Sequence, residues 1–158
     1  MCIRDRSYTE ELIASVDAYV CLCSPERLEE MRRSQREQKL PPGYDGHCRN
    51  LSDDERSAVV ASGTPQVVRF KIPDDGETTF DDLVRGRVTF QHAVLDDFII
   101  MKSDGFPTYH LANVVDDHMM EISHVLRAEE WLSSTPRHIN LNSTVVFDLQ
   151  NFQKKFCV

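Results

Sequence analysis

Hydrophobic positions change their spacing along this chain, and the changes mark its elements. Between Gln66 and Ile72, Val68, Phe70 and Ile72 fall on one side and Arg69 and Lys71 on the other. That two-residue period predicts a half-buried strand, which Pro73-Asp74-Asp75-Gly76 turns. Phe80 to Leu83, Val88 to Phe90 and Phe98 to Met101 read as further short extended segments, the last turned by Ser103-Asp104-Gly105. From Tyr109 the period lengthens, with Leu111, Val114, Val115 and His118 at helical spacing. Ile122 to Leu126 then reads as a short buried strand, and Ala128 to Trp131 opens another helix. Upstream, Ser24 followed by Pro25 and Glu26 starts a helix, because serine caps free N–H groups, proline suits the first turn and glutamate favours the positive helix end. The helix is expected to run to about Lys39, where Pro41-Pro42-Gly43 stops it.

Helix, strand and helix from Tyr109 onward fit one half of a doubly wound α/β sheet, in which ligands collect beyond the carboxyl ends of the strands. Arg127 sits at such an end, where its planar fork of donors suits a carboxylate. An ion pair with Glu129, Glu130 or Asp117 explains the same residue without a ligand. Trp131 alone reads as core, since a large aromatic needs no ligand to justify burial. Asp116-Asp117-His118 is not read as a metal site, because consecutive helical residues point around the axis. Glu121 and His124 match one half of a di-iron element whose second half is missing.

A length of 158 residues with 41% hydrophobic and 28% charged content suits one or two small globular domains. No apolar run approaches the ~20 residues of a membrane span, and no secretion signal is evident, so the expected compartment is the cytoplasm or an organellar matrix. A net charge of −8 argues against nonspecific nucleic-acid binding and DNA. Lys39, Arg49, Arg69 and Lys71 form a candidate modest basic face, though a mixed-charge solvated surface accounts for them equally. Five cysteines, with Cys21 and Cys23 one residue apart, suit a metal or reduced thiols better than a disulfide framework.

The run Asp104 to Arg137, which includes Tyr109-His110-Leu111-Ala112-Asn113-Val114-Val115-Asp116-Asp117-His118 and Arg127-Ala128-Glu129-Glu130-Trp131, closely resembles the active-site segment of bacterial and organellar glutamyl-tRNA synthetases. Ser24 to Glu30 and Gly43 to Arg49 resemble the same family's tRNA acceptor-binding insertion, so the resemblance covers roughly Tyr8 to His138. The family is class I, yet its His-Ile-Gly-His and Lys-Met-Ser-Lys-Ser signatures for ATP are absent from these residues. The resemblance therefore implies an incomplete domain: the second part of a class I Rossmann-like nucleotide-binding fold (108–138) preceded by an α+β acceptor-binding insertion (8–107). Residues 1–7 are expected to be a non-native leader and 139–158 a divergent or frameshifted tail.

By this resemblance, Tyr109, Asn113 and Arg127 bind the glutamate substrate, with Arg127 and Tyr109 on its side-chain carboxylate. Tyr109 and Asn113 are one helical turn apart and share a face. Glu130 and Trp131 border the adenosine of ATP, which is used with Mg2+; no side chain is assigned a covalent role. The partners implied are tRNA(Glu), L-glutamate and ATP. Cys21, Cys23 and Cys48 resemble a zinc site of some members, with Asn50 in place of the usual fourth ligand and His47 nearby. The implied activity of the intact protein is glutamate–tRNA ligation. The alternative is a stand-alone tRNA-binding or zinc-binding module derived from a synthetase.

Overall fold

The computed structural model describes residues 2–52, 54–55, 66–145 and 155–157. In chain order these form α1 (Cys2–Ala14), β1 (Ala18–Cys21), α2 (Pro25–Glu37), β2 (Val67–Phe70), β3 (Glu77–Asp82), β4 (Gly86–Gln91), a 3-10 turn (His92–Val94), β5 (Ile99–Met101), α3 (Tyr109–Met119), β6 (His124–Leu126), a second 3-10 turn (Glu129–Ser134), α4 (Thr135–Val145) and β7 (Lys155–Cys157). The expected elements are present with corrected edges, except that the helix expected to open at Ala128 to Trp131 is a 3-10 turn there and becomes α-helical at Thr135. The Ser24 side chain accepts from the Arg27 N–H and caps α2 as anticipated. Three helices end on a non-glycine residue in the left-handed region, Val16 (φ 66°), Lys39 (φ 55°) and Glu121 (φ 52°). Each is followed by the two reversed backbone bonds of a Schellman end, for α2 those from Lys39 N to Arg36 O and Leu40 N to Gln35 O.

Two sheets divide the chain. In the first, β2 lies between β1 and β5, antiparallel to both, with Ala18 opposite Phe70 and Val68 opposite Met101. In the second, the order is β4-β3-β7-β6. There the hairpin β3–β4 is antiparallel, while β7 runs parallel to both β3 and β6. The hairpin closes at Asp82, whose Oδ1 accepts from the Val84 and Arg85 N–H groups, and at Gly86, whose φ of 74° is the left-handed step that such a loop needs. The span from β6 through α4 to β7 is a parallel crossover, the unit from which nucleotide-binding folds are built.

The first sheet carries the main core. Phe70, Ile72, Ile100 and Met101 pack with Leu12 of α1, Leu111, Val114 and Val115 of α3, and Leu141 and Val145 of α4. This core thus draws on residues from both sides of position 107 and on the helix beyond His138, where Leu141 is fully buried. Most of the remaining tail, 146–154 and 158, lies outside the described residues. A smaller cluster joins Phe80 and Val125 beneath the second sheet.

Two further expectations change. The strand expected over Ile122 to Leu126 is limited to His124–Leu126, and only Val125 is buried while Leu126 is 75% exposed. It has a parallel neighbour on one side, β7, and is the edge strand among the described residues. Arg69, expected on the polar face of β2, is buried. Its guanidinium lies 3.7 Å over the Tyr44 ring and donates to the Asp97 carbonyl at 2.7 Å, so a long-range cation–π contact overrides the strand alternation.

Candidate functional site

Arg127 follows β6, and its backbone N–H bonds the Cys157 carbonyl at 3.0 Å, which extends the β6–β7 ladder and fixes where the side chain departs. The guanidinium then reaches two neutral acceptors, Asn113 Oδ1 on α3 and His138 Nδ1 on α4, each at 2.5 Å. No carboxylate among the described residues forms an ion pair with it: Glu129 pairs with Arg85, and Asp117 accepts from Asn113. The ligand-free alternative from the sequence, an Arg127 ion pair, is therefore not what the fold builds. A guanidinium has five N–H donors, and two neutral hydrogen bonds leave its charge uncompensated.

Tyr109, one turn before Asn113, places its ring 5.9 Å from the Arg127 guanidinium carbon and 5.2 Å from the Trp131 ring. Tyr109, Asn113 and Arg127 thus meet in space, and Trp131 joins them through Tyr109. Tyr109 is half exposed and Trp131 is 38% exposed, so neither is core. Glu130 is exposed in the second 3-10 turn. Two histidines that the sequence reading did not single out complete the group. His138 Nε2 lies 2.8 Å from His110 Nδ1, and His110 packs edge-on against Phe98. Burial, followed by the positive charges of Arg137 and Arg127, holds the His110 pKa below its usual value of 6.5 against the opposing pull of Asp96. A cleft of about 820 Å3 opens beside this group, lined by Leu28, Met31, Leu40, Phe98, Tyr109 and His110. Neither Arg127 nor Asn113 lines it.

The three cysteines converge. Cys21 and Cys23 leave the end of β1, Cys48 follows the turn at Gly46, and the three Sγ atoms lie within 4.8 Å of one another. The oxygen among them belongs to Tyr44, whose Oη is 3.4 Å from Cys21 Sγ and 3.4 Å from Cys23 Sγ and accepts from the Cys48 N–H at 2.9 Å. His47 and Asn50, the expected sources of a fourth ligand, are exposed. Three soft thiol donors and a phenol oxygen fit tetrahedral zinc. Hydrogen bonding from Cys48, aided by Tyr44, the Cys23 N–H and Arg69, lowers the Cys21 thiol to about 4 despite burial. The same bond from the other side raises Cys48, while burial raises Tyr44. Cys21 is thus placed to supply the thiolate, the form that ligates metal.

The candidate basic face does not assemble. Besides the buried Arg69, Arg49 is tied to Asp97 at 2.7 Å, to Asp74 at 2.8 Å and to the Ile72 carbonyl at 2.8 Å. Both arginines serve the fold, which leaves Lys39 and Lys71 of the four.

The sequence model described as tRNA synthetases class I (E and Q), catalytic domain, matches residues 4–158. The chain belongs to this family. Among relatives, the glutamate–tRNA ligase of Borrelia duttonii (strain Ly) is 57% identical over 137 residues, which are 86% of this chain and 27% of that protein. The glutamate–tRNA ligase of Fusobacterium nucleatum is 50% identical over 145 residues, 92% of this chain and 28% of its own length. The crystal structure of glutamate–tRNA synthetase from Elizabethkingia anophelis superposes with a TM-score of 0.82 at 31% identity, over 99% of this chain and 33% of that one. A glutamate–tRNA ligase from Elizabethkingia meningosepticum, solved in complex with its amino acid, gives the same TM-score and identity over 32% of its length. The chain thus spans about a quarter to a third of the proteins it matches, within the class I catalytic domain. No helix among the described residues is long and apolar enough to cross a membrane.

Proposed function

We propose that this chain supplies the amino-acid side of the site in a glutamate–tRNA ligase, with tRNA(Glu), L-glutamate and ATP as substrates, ATP acting with Mg2+ in the cytoplasm. The observation that carries the reading is the Arg127 guanidinium, held by two neutral acceptors and lacking a carboxylate partner among the described residues. An incoming side-chain carboxylate supplies the missing charge, and the planar fork can meet it bidentately. Tyr109, half exposed beside Arg127, shares that carboxylate, and Asn113 holds the fork from below. Trp131, with Glu130 next to it, borders the adenosine. The reaction joins the glutamate α-carboxylate to the α-phosphorus of ATP as the α–β phosphoanhydride bond breaks and pyrophosphate leaves, and a ribose hydroxyl of tRNA then takes the acyl group as the acyl-phosphate bond breaks and AMP leaves. What these side chains contribute is position and charge, the main sources of catalysis in such transfers. Zinc, when bound by Cys21, Cys23, Cys48 and Tyr44, cross-links the end of β1 to the turn at Cys48, in the part assigned to the tRNA acceptor stem.

The test replaces the matching segment of the Borrelia duttonii ligase with residues 8–138 of this chain. Glutamate-dependent exchange of pyrophosphate into ATP within about tenfold of the parent is expected. A folded chimera that binds ATP but shows no glutamate-dependent exchange overturns the reading.

A further inference from the structure

An arginine side chain is a flexible stem, so a guanidinium that must meet a carboxylate in one orientation needs its fork fixed by other groups. For Arg127 two acceptors do this. Asn113 presents its carbonyl oxygen because its amide nitrogen is directed to Asp117 at 3.5 Å. The second acceptor is His138, 3% exposed on α4, its ring 5.0 Å from that of His110 and 5.9 Å from that of Tyr109.

The chemistry of the donors settles the protons. Arginine has only N–H donors, so His138 Nδ1 must accept with its lone pair. The ring is then neutral with its proton on Nε2. That N–H donates to His110 Nδ1 at 2.8 Å, so His110 is also neutral and keeps its own proton on Nε2. A proton added to His138 would remove the acceptor and set a second positive charge against Arg127. Arg137 adds a further positive charge nearby, and the neighbouring carboxylate, Asp96, already accepts from Arg137 at 2.8 Å. The chain Arg127, His138, His110 therefore has one consistent arrangement of protons.

We infer that His138, held as the neutral Nε2–H tautomer by His110, is a positioning residue that fixes the Arg127 fork for the substrate carboxylate. The inference rests on the reading of Arg127 as the glutamate anchor. A side chain needed only to fill space would tolerate leucine at 138 better than glutamine. One needed as an acceptor would tolerate glutamine, whose amide oxygen can take the Arg127 N–H, and not leucine.

The experiment uses the whole 158-residue chain, with nitrogen-15 NMR of its histidine and arginine side chains, during titration with L-glutamate and with L-glutamine as the uncharged control. Expected are neutral Nε2–H tautomers for His138 and His110 at neutral pH, and separately resolved guanidinium nitrogens for Arg127 because their rotation is hindered. His138→Leu should merge the guanidinium signals and weaken glutamate about tenfold or more, the loss of one hydrogen bond to a charged group. His138→Gln should keep the resolved signals and bind glutamate within about threefold of the parent. An Nδ1–H or protonated His138, or equal behaviour of the two variants, overturns the inference. If the parent chain binds neither amino acid, the amino-acid arms are repeated in the Borrelia duttonii chimera: no glutamate binding there overturns the glutamate reading and the inference with it, while the tautomer and guanidinium signals decide whether His138 fixes the fork.

Discussion

Buried Asp97 joins three donors, and Asp97→Asn tests that junction. Its carboxylate accepts from Tyr19 Oη at 2.6 Å, from Arg49 at 2.7 Å and from the Ile72 N–H at 2.9 Å. The Asp97 and Arg49 side chains are 5% and 13% exposed. Asparagine keeps one oxygen, which in the Oδ1 place can still serve Arg49 and the Ile72 N–H, but its amide nitrogen then faces Tyr19 Oη and the negative charge opposite Arg49 is lost. Arg49 then retains Asp74, which at 82% exposure is largely screened by water. Removing one partner of a buried pair costs about 3–5 kcal/mol, a large part of the ~5–15 kcal/mol that holds a domain folded. Urea unfolding is the suitable assay, because guanidinium salt would itself screen the pair. With a slope of ~2 kcal/mol per M, the midpoint should fall by about 2 M. Arg49→Met in the Asp97→Asn background should cost far less than in the parent, because neighbours that share one interaction are not additive. A midpoint shift below about 0.3 M, or full additivity, would refute the reasoning.

Three further outcomes follow from the geometry. Val16 holds a left-handed φ of 66° at a site 62% exposed, so Val16→Gly should relieve strain and raise stability by about 0.5–1 kcal/mol net of glycine's entropy, read as a higher midpoint; a loss would show that Val16 makes contacts that outweigh its strain. Because His110 titrates below its unfolded value near 6.5, the unfolded chain takes up the proton first as pH falls, so stability is complete above that value and declines below it. His110→Gln should flatten the decline between pH 7 and pH 5.5 in urea unfolding, and an unchanged slope would contradict the assignment. Cobalt(II), a spectroscopic stand-in for zinc, should bind with thiolate charge-transfer absorption that weakens in Tyr44→Phe and not in Asn50→Ala; the reverse order would return the fourth ligand to Asn50.

The elements legible in the sequence are those set by local chemistry. Ser24, Pro25 and Glu26 mark the start of α2 because capping acts within one turn, and Leu111, Val114 and Val115 mark the buried face of α3 because the core lies on one side. The span of Tyr109, Asn113 and Arg127 was visible through the family resemblance, and the fold brings the three together. What escaped depends on distant partners. Arg69 alternates like a surface residue, but the Tyr44 ring and the Asp97 carbonyl draw it inward. Tyr44 reaches the thiols from 23 and 21 positions away, and a lone tyrosine has no ligand spacing to betray it. His110 and His138 are 28 residues apart, on helices whose packing no local pattern specifies. The left-handed helix ends at Val16, Lys39 and Glu121 lack the glycine that would have signalled them.

The central claim is that Arg127 recognises the negative charge of a glutamate side chain. It is tested most directly by Arg127→Gln in the Borrelia duttonii chimera, with kcat/KM for ATP–pyrophosphate exchange measured for L-glutamate and for L-glutamine. Loss of a partner from a partly desolvated charge pair costs about 3–5 kcal/mol, so efficiency with glutamate should fall by more than about a hundredfold. Glutamine, which has no matching charge, should lose much less, so the preference between the two amino acids collapses. Equal losses for both would mean that Arg127 supports the fold or the ATP side, and would contradict the assignment of glutamate to this site.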